Sequence, residues 1–287
     1  MSEIVVTLPD GSQRQVPAGS TPLEVARALS PKLAAEAVVA RLNGELVDLN
    51  EPIIAHTTLE ILTPQDPEAL EVYRHSSAHL LAAAVLELFP ETKLGVGPAV
   101  ENGFYYDFER STPFTPADLE KIEAKMRELQ SRDLPFERRL VRKAEGLAQY
   151  AARGEELKCQ LIEEKAGETF SEYALGPRLV DFCRGPHVAS TARIKAFKLL
   201  SVAGSHWKGD ESSRPLQRIY GTSFFTQKEL ENYLNQLEEA KKRDHRKLGQ
   251  ELDLFSIQDL AGPGLIFFHA KGGTVRRILE DWMRDEY

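Results

Sequence analysis

The chain has little cysteine. Cys159 and Cys183 are its two thiols in 287 residues, too few for a disulfide framework, so a reducing compartment and a cytoplasmic location are expected. It has no apolar run near the roughly 20 residues that a membrane span needs. Its start, "MSEIVVTLPDG", has no basic stretch leading into an apolar one, so no secretory signal is expected. Basic residues are not in excess either. Lys+Arg number 36 against 44 Asp+Glu, and the net charge of −8 argues against nonspecific nucleic-acid binding through a broadly basic surface. Local patches still leave room for a defined RNA partner. "ERRLVRK" at 137–143 and "KKRDHRK" at 241–247 are such patches, although each also reads as an ordinary solvated face. There is no internal repeat. What is present is a globular composition, 42% hydrophobic and 28% charged, over a length that calls for two or three domains.

The order of elements reads as α+β. Residues 1–63 begin with "IVVTL" and "RQVPA" about "PDGS", a strand pair with Asp-Gly at its turn. "STPLEVARAL" follows as a capped helix with Leu23, Ala26 and Leu29 on one side. "AVVARLNGELVDL" adds two short strands about Asn43-Gly44, and "LEIL" a last one, the order of a β-grasp, ubiquitin-like fold. "TPQDPEA" at 63–69, with two prolines, reads as a linker.

A second unit spans about 68–225. It holds an apolar helix starting at "HSSAH", the aromatic strand region "GVGPAVENGFYYDF" and an amphipathic helix capped by Thr115 with Ile122, Met126 and Leu129 inward. Short strands follow, including "LKCQLI", "KAFKLLSVAGSHW" and "LQRIYGTSF", giving an α/β two-layer arrangement. Residues 226–249 read as one long charged helix whose narrow stripe of Tyr233, Leu237 and Ala240 suits a connector. From 250 a Gly-Pro-Gly loop, a strand, a Gly-Gly turn and a helix begin something new.

His75 and His79 lie four apart, on one helical face with Val72, Ala82 and Leu86. Two core histidines satisfied by backbone carbonyls are one reading. A zinc-protease motif is disfavoured because Ser76, not Glu, follows the first histidine. "DFCRGPHV" repeats the spacing with Cys183 and His187, and Gly185-Pro186 should stop a helix and leave both on a turn or strand end. His75, His79, Cys183 and His187 make a set that tetrahedral zinc would accept. Without metal the same groups line a polar pocket able to bind a water and an amino group. Spacing favours zinc over that alternative. Lys158, in the apparent strand "LKCQLI", has no clear role, and Cys159 should face the opposite side.

Six stretches together carry a resemblance. "RHSSAHLLAAAV", "ENGFYYDF", "DFCRGPHV", "GSHWKGDESSRPLQRIYGTSF", "EEAKKRDHRKLGQELDLF" and "GPGLIFFHAKG" resemble, in order, the N-terminal half of bacterial threonyl-tRNA synthetases, across essentially the whole chain. The histidine helix and Cys-x-x-x-His loop also occur in alanyl-tRNA synthetases and their freestanding editing relatives. The resemblance implies a TGS domain at 1–63, an editing (second additional) domain at 68–225, a linker helix at 226–249 and, at 250–287, the start of a truncated class II aminoacylation domain. It implies tRNA(Thr) and its seryl ester as partners, and post-transfer hydrolysis of that ester as the activity. Serine lacks only one methyl of threonine, worth about 1–3 kcal/mol or roughly 10–200-fold, so a second, size-excluding pocket is needed.

The family's zinc and ATP sit in the catalytic core, which this sequence does not contain, so no cofactor is expected for editing and no threonine activation from this chain. The resemblance thereby turns the pocket toward the metal-free reading. It implies catalytic roles for His75 and Lys158, which would position and polarise the attacking water, a desolvated lysine being able to act as a base. His79, Asp181, Cys183 and His187 would hold the seryl group and terminal ribose, with Asp181 suited to the α-ammonium, and Tyr105 or Tyr106 would flank the terminal adenosine. The family dimerises largely through its class II core, so a dimer is not required here. A noncatalytic tRNA-binding or regulatory module and a zinc-stabilised structural domain are the competing readings.

Overall fold

Glu3–Thr7 (β1) and Gln13–Pro17 (β2) form the expected hairpin in this computed structural model, which describes residues 3–262 and 264–287. Helix α1 (Pro22–Leu29) starts at Thr21, whose hydroxyl accepts the Glu24 amide while the Glu24 carboxylate accepts the Thr21 amide. A short helix α2 (Pro31–Glu36) follows. Val39–Leu42 (β3) and Glu45–Val47 (β4) turn about Asn43 and Gly44, both at positive φ, and Thr57–Leu62 (β5) completes the sheet. Its order is β2-β1-β5-β3-β4, with β1 and β5 parallel. Val25 of α1 buries against Ile4, Val6 and Leu59, an arrangement consistent with a β-grasp.

The expected linker is shorter than its prolines suggested. Pro67 is the first residue of helix α3 (Pro67–Leu88), a position where a missing N–H is harmless, so only 63–66 connect. That helix is buried nearly all round and not along one stripe, because it packs against a second helix on one side and a sheet on the other. The sheet is built from Lys93–Leu94 (β6), Ala99–Val100 (β7) and Gly103–Glu109 (β8); the second helix is α4 (Pro116–Ser131), capped by Thr115 and buried through Ile122, Met126 and Leu129 as its pattern predicts. Glu137–Arg142 (β9), Lys143–Ala152 (α5), Glu156–Lys165 (α6), Thr169–Leu175 (β10) and Leu179–Phe182 (β11) follow, then the long hairpin Ala196–His206 (β12) and Pro215–Phe224 (β13). Two antiparallel sheets result, β12-β13-β8-β6 with β7 beside β8, and β11-β10-β9.

"LKCQLI" is therefore helical, contrary to expectation. The alternation of Leu157, Cys159 and Leu161 suggested a strand, but the surrounding Glu, Lys, Gln and Leu favour helix. Leu157, Lys158, Leu161 and Ile162 are buried at helical spacing. Gly185-Pro186 likewise ends no helix. It lies in the loop after β11.

The chain divides into two compact units at Leu230/Glu231. In the second, the expected single helix is interrupted: α7 (Gln227–Lys242) ends, and Asp244 caps a new helix α8 (His245–Glu251) by accepting the Arg246 amide. A short acidic side chain competes with helix continuation in this way. Phe255–Ile257 (β14) pairs with Ile266–Phe268 (β15), and α9 (Ala270–Glu286) follows. Gly272-Gly273 lies inside α9 and is not a turn. A Cβ on Gly272 would stand 1.9 Å from the Leu254 carbonyl oxygen, so the glycine serves close packing. Pro263 of the anticipated Gly-Pro-Gly loop lies outside the described residues.

The two basic patches are largely neutralised by neighbours: Arg138 meets Glu51, Arg139 meets Glu137, and Lys241, Lys242 and Arg246 meet Glu238, Glu239 and Asp244. No described helix is long and apolar enough to cross a membrane.

Candidate functional site

Helix α3 and the loop after β11, more than a hundred residues apart in sequence, converge on the floor of one cleft. His75 and His79 come from α3, Lys158 from α6, Asp181 from β11, and Cys183 and His187 from the loop. The three imidazoles form a close stack. His75 and His187 are nearly parallel with centroids 4.6 Å apart, and His79 stands edge-on to His187 at 4.3 Å. Phe136 covers the other face of His187 at 4.8 Å. Ligand atoms of His75, His79, Cys183 and His187 all lie within 4.8 Å of one another.

Hydrogen-bond partners assign the protons. His75 Nδ1 faces the Gly97 carbonyl at 3.2 Å, which can only accept, so Nδ1 carries the hydrogen and Nε2 points a lone pair at Cys183 Sγ, 3.1 Å away. The Ser76 hydroxyl donates to the Val72 carbonyl at 2.8 Å and accepts the Val188 amide at 3.0 Å. Its remaining lone pair accepts from His187 Nδ1 at 3.1 Å. His187 Nε2 is thus also a lone pair, 3.5 Å from the same sulfur. Two imidazole acceptors face a thiol with one proton, so one acceptor is free for a substrate donor. His79 Nδ1 is buried with no partner among the described residues, and its Nε2 lies 3.7 Å from Asp181 Oδ2.

Asp181 is the electrostatic centre of the floor. Lys158 and Asp181, each about 2% exposed, form an ion pair, and Tyr106 donates to Asp181 Oδ2 at 2.5 Å. Burial of Asp181 opposes its charge, but Lys158 first, then His79 and the Lys158 and Tyr106 hydrogen bonds, hold its carboxyl below the ordinary value. Lys158 Nζ thus lies between the Asp181 carboxylate and the Tyr106 hydroxyl, to which it donates at 3.4 Å.

The cleft above this floor is about 1020 Å³. That is far larger than a hydroxymethyl group and reaches the size that takes a nucleotide-sized ligand. Its walls include Leu46 from β4, Glu71 and Val96, with Lys165 and Arg184 as basic side chains. Tyr105 does not line it. Strand alternation turns Tyr105 away from Tyr106, and the Arg218 guanidinium lies 3.8 Å over its ring. Tyr106 is fully buried, with its hydroxyl on Asp181.

Residues 4–63 match the TGS domain family, and residues 173–220 match the family described as "Threonyl and Alanyl tRNA synthetase second additional domain". The whole chain is 53% identical to the "Threonine--tRNA ligase" of Pelobacter propionicus and to that of Geobacter sp., and 50% identical over 285 residues to that of Methylibium petroleiphilum. Over its whole length the chain is similar to part of these threonine--tRNA ligases. It spans 45% of the length of these curated relatives.

Apart from the Lys158–Asp181 ion pair, burial keeps the floor of the cleft uncharged. Burial lowers His75, pushes His79 down to about 3 with help from His75, and takes His187 well below its ordinary value. Burial, then Asp181, pushes the Cys183 thiol up to about 12. A neutral thiol is a poor nucleophile.

These shifts predict a pH dependence. Each depressed histidine binds more protons unfolded than folded, so stability should fall as pH drops below about 6.5, toward the folded values. The depressed Asp181 adds a loss at lower pH, while Asp48, raised by burial, works in the opposite direction. Urea midpoints measured from pH 7.5 to 4.5 should decline steadily, and a flat profile would contradict the buried neutral imidazoles.

Sequence reading missed several residues that hold this site. Ser76 was noted only as the wrong residue for a protease, yet it orients His187 and Val188. Asp48 lies 139 residues before His187 and accepts its amide. No local pattern marks such a partner.

Proposed function

We propose that the cleft hydrolyses the aminoacyl ester of tRNA(Thr) wrongly charged with serine. Water adds to the ester carbonyl carbon, the bond to the ribose oxygen breaks, and serine and the tRNA hydroxyl are released. The observation that carries this reading is the convergence of the His75 and His187 lone pairs beside the Lys158–Asp181 pair, on the floor of a nucleotide-sized cleft. His75 Nε2 accepts from the attacking water, and the Lys158 ammonium polarises the water or carbonyl. Asp181 first holds Lys158, since an α-ammonium there would share the carboxylate with a like charge. His79, His187 and Cys183 hold the seryl group and ribose.

The domain limits proposed are 1–63, 68–225, 226–249 and 250–287, the last as the start of a class II core. Support for that assignment is the apolar face of α9, where Ile278, Leu279 and Trp282 are more than half exposed.

Incubation with seryl- and threonyl-charged tRNA(Thr) at saturating tRNA tests the reading. Release of serine alone is expected; binding without release would leave a recognition module.

A second reading has its own observation. Both Nδ1 hydrogens are held by a carbonyl or hydroxyl, leaving Nε2 free, as in histidine sites that bind zinc. His75, His79, Cys183 and His187 would be the ligands, and zinc would supply a Lewis acid. Metal analysis of the purified protein should find less than a stoichiometric amount; one tightly held zinc per chain would decide for this second reading.

A further inference from the structure

Asp48 lies just after β4, in the N-terminal domain. Its Oδ1 accepts the His187 backbone amide at 2.7 Å and its Oδ2 accepts the Tyr173 hydroxyl at 2.6 Å. Tyr173 stands edge-on to the His187 ring at 4.5 Å. Its hydroxyl also abuts Gly185, which has φ +69°; a Cβ there would lie 2.0 Å from that oxygen. One carboxylate therefore ties the loop that presents Cys183 and His187, at His187, to Tyr173 of β10, whose hydroxyl packs on the same loop at Gly185.

The domain carrying Asp48 is firmly seated. Val38, Val39 and Leu62 bury in the same apolar core as α3, and Ala189 packs against the N-terminal core in return. Arg193 donates to the Ala34 and Ala35 carbonyls at the end of α2, and Arg41 pairs with Glu68 on α3. Leu46, two residues before Asp48, is itself part of the cleft wall.

We propose that Asp48 is a positioning residue for the cleft, and that the N-terminal domain is through it a structural part of the site and not a tethered accessory. This rests on the deacylase reading for its kinetic consequence but not for its structural one. With the carboxylate removed, His187 loses the anchor of its backbone, and a displacement near 1 Å at such a group lowers turnover by about 100-fold.

The test uses the full chain and two readouts. Asp48→Ala is expected to lower kcat for serine release by about 10- to 100-fold with little change in KM. Asp48→Asn keeps an acceptor for the His187 amide and a donor for the Tyr173 hydroxyl, so it should retain most activity. Long-range proton–nitrogen spectra of the imidazoles should show His187 as the Nδ1-protonated tautomer in the parent and in Asp48→Asn, and displaced in Asp48→Ala, while His56 and His269 stay unchanged. Unaltered kcat and an unaltered His187 signal in Asp48→Ala would overturn the proposal. Should the parent release no serine, the deacylase reading fails, and the spectra alone decide the positioning role. Should Asp48→Ala not fold, Tyr173→Phe takes its place: loss of one of the two bonds should lower kcat about 2- to 10-fold and shift the His187 signal. Parent values for both would overturn the proposal.

Discussion

Alanine at His75 or Lys158 is expected to lower serine release from seryl-charged tRNA(Thr) by about 10²–10⁴-fold, the range that a positioned proton acceptor or donor contributes. The two variants should fail for different reasons. In the proposed mechanism His75 Nε2 is the lone pair that takes the proton of the attacking water, while Gly97 holds the other nitrogen. Truncation leaves Cys183 with His187 as partner, so the fold should persist and tRNA should still bind. In the same proposed mechanism Lys158 would supply positive charge where the carbonyl oxygen turns negative, an interaction that low-dielectric surroundings magnify. Initial rates at saturating charged tRNA, with binding measured separately, check both. Hydrolysis at the parent rate in either variant would remove that residue from the mechanism.

Lys158 has a second consequence, larger in free energy of folding. Its ammonium and the Asp181 carboxylate are both buried and paired with each other. Removing one member leaves the other charge uncompensated, at a cost of about 3–5 kcal/mol. For a unit of this size each kcal/mol lowers Tm by about 2–4 °C, so Lys158→Met or Asp181→Asn should melt roughly 6–20 °C below the parent. The double variant Lys158→Met with Asp181→Leu should recover much of the loss, because an apolar pair of similar volume avoids burying charge at all. Calorimetry of the three variants provides the comparison. Single variants melting within a degree or two of the parent would mean that the pair is hydrated. The activity loss of Lys158→Ala must therefore be measured well below its lowered Tm, whereas His75→Ala carries no such burden.

Legibility differed between elements for physical reasons. Thr21, Thr115 and Asn43-Gly44 announce caps and a turn because each acts on its immediate neighbours. The stripe of Ile122, Met126 and Leu129 is similarly local, set by the helical repeat. The strand expected at Lys158 fails because three alternating positions, Leu157, Cys159 and Leu161, fit either period, and packing against Trp207 and Leu216 decides which face is inside. The single connector helix failed at Asp244, where one side chain captures the amide two residues ahead. Tyr105 and Tyr106 are adjacent and chemically identical, and only the orientation of β8 in its sheet separates the residue over Arg218 from the one on Asp181.

The sequence by itself determined which groups were available. His75 with His79 and Cys183 with His187 stand out by spacing, and six ordered stretches place the chain near the threonine--tRNA ligases. Only the tertiary structure decided how those groups are paired. It pairs Lys158 with Asp181, turns the Nε2 of His75 and of His187 toward the Cys183 sulfur, and brings Asp48 across 139 residues to hold the loop. Periodicity and capping act over one or two turns of chain, whereas protonation and pairing depend on which surfaces exclude water from one another, and that is settled by packing between distant segments.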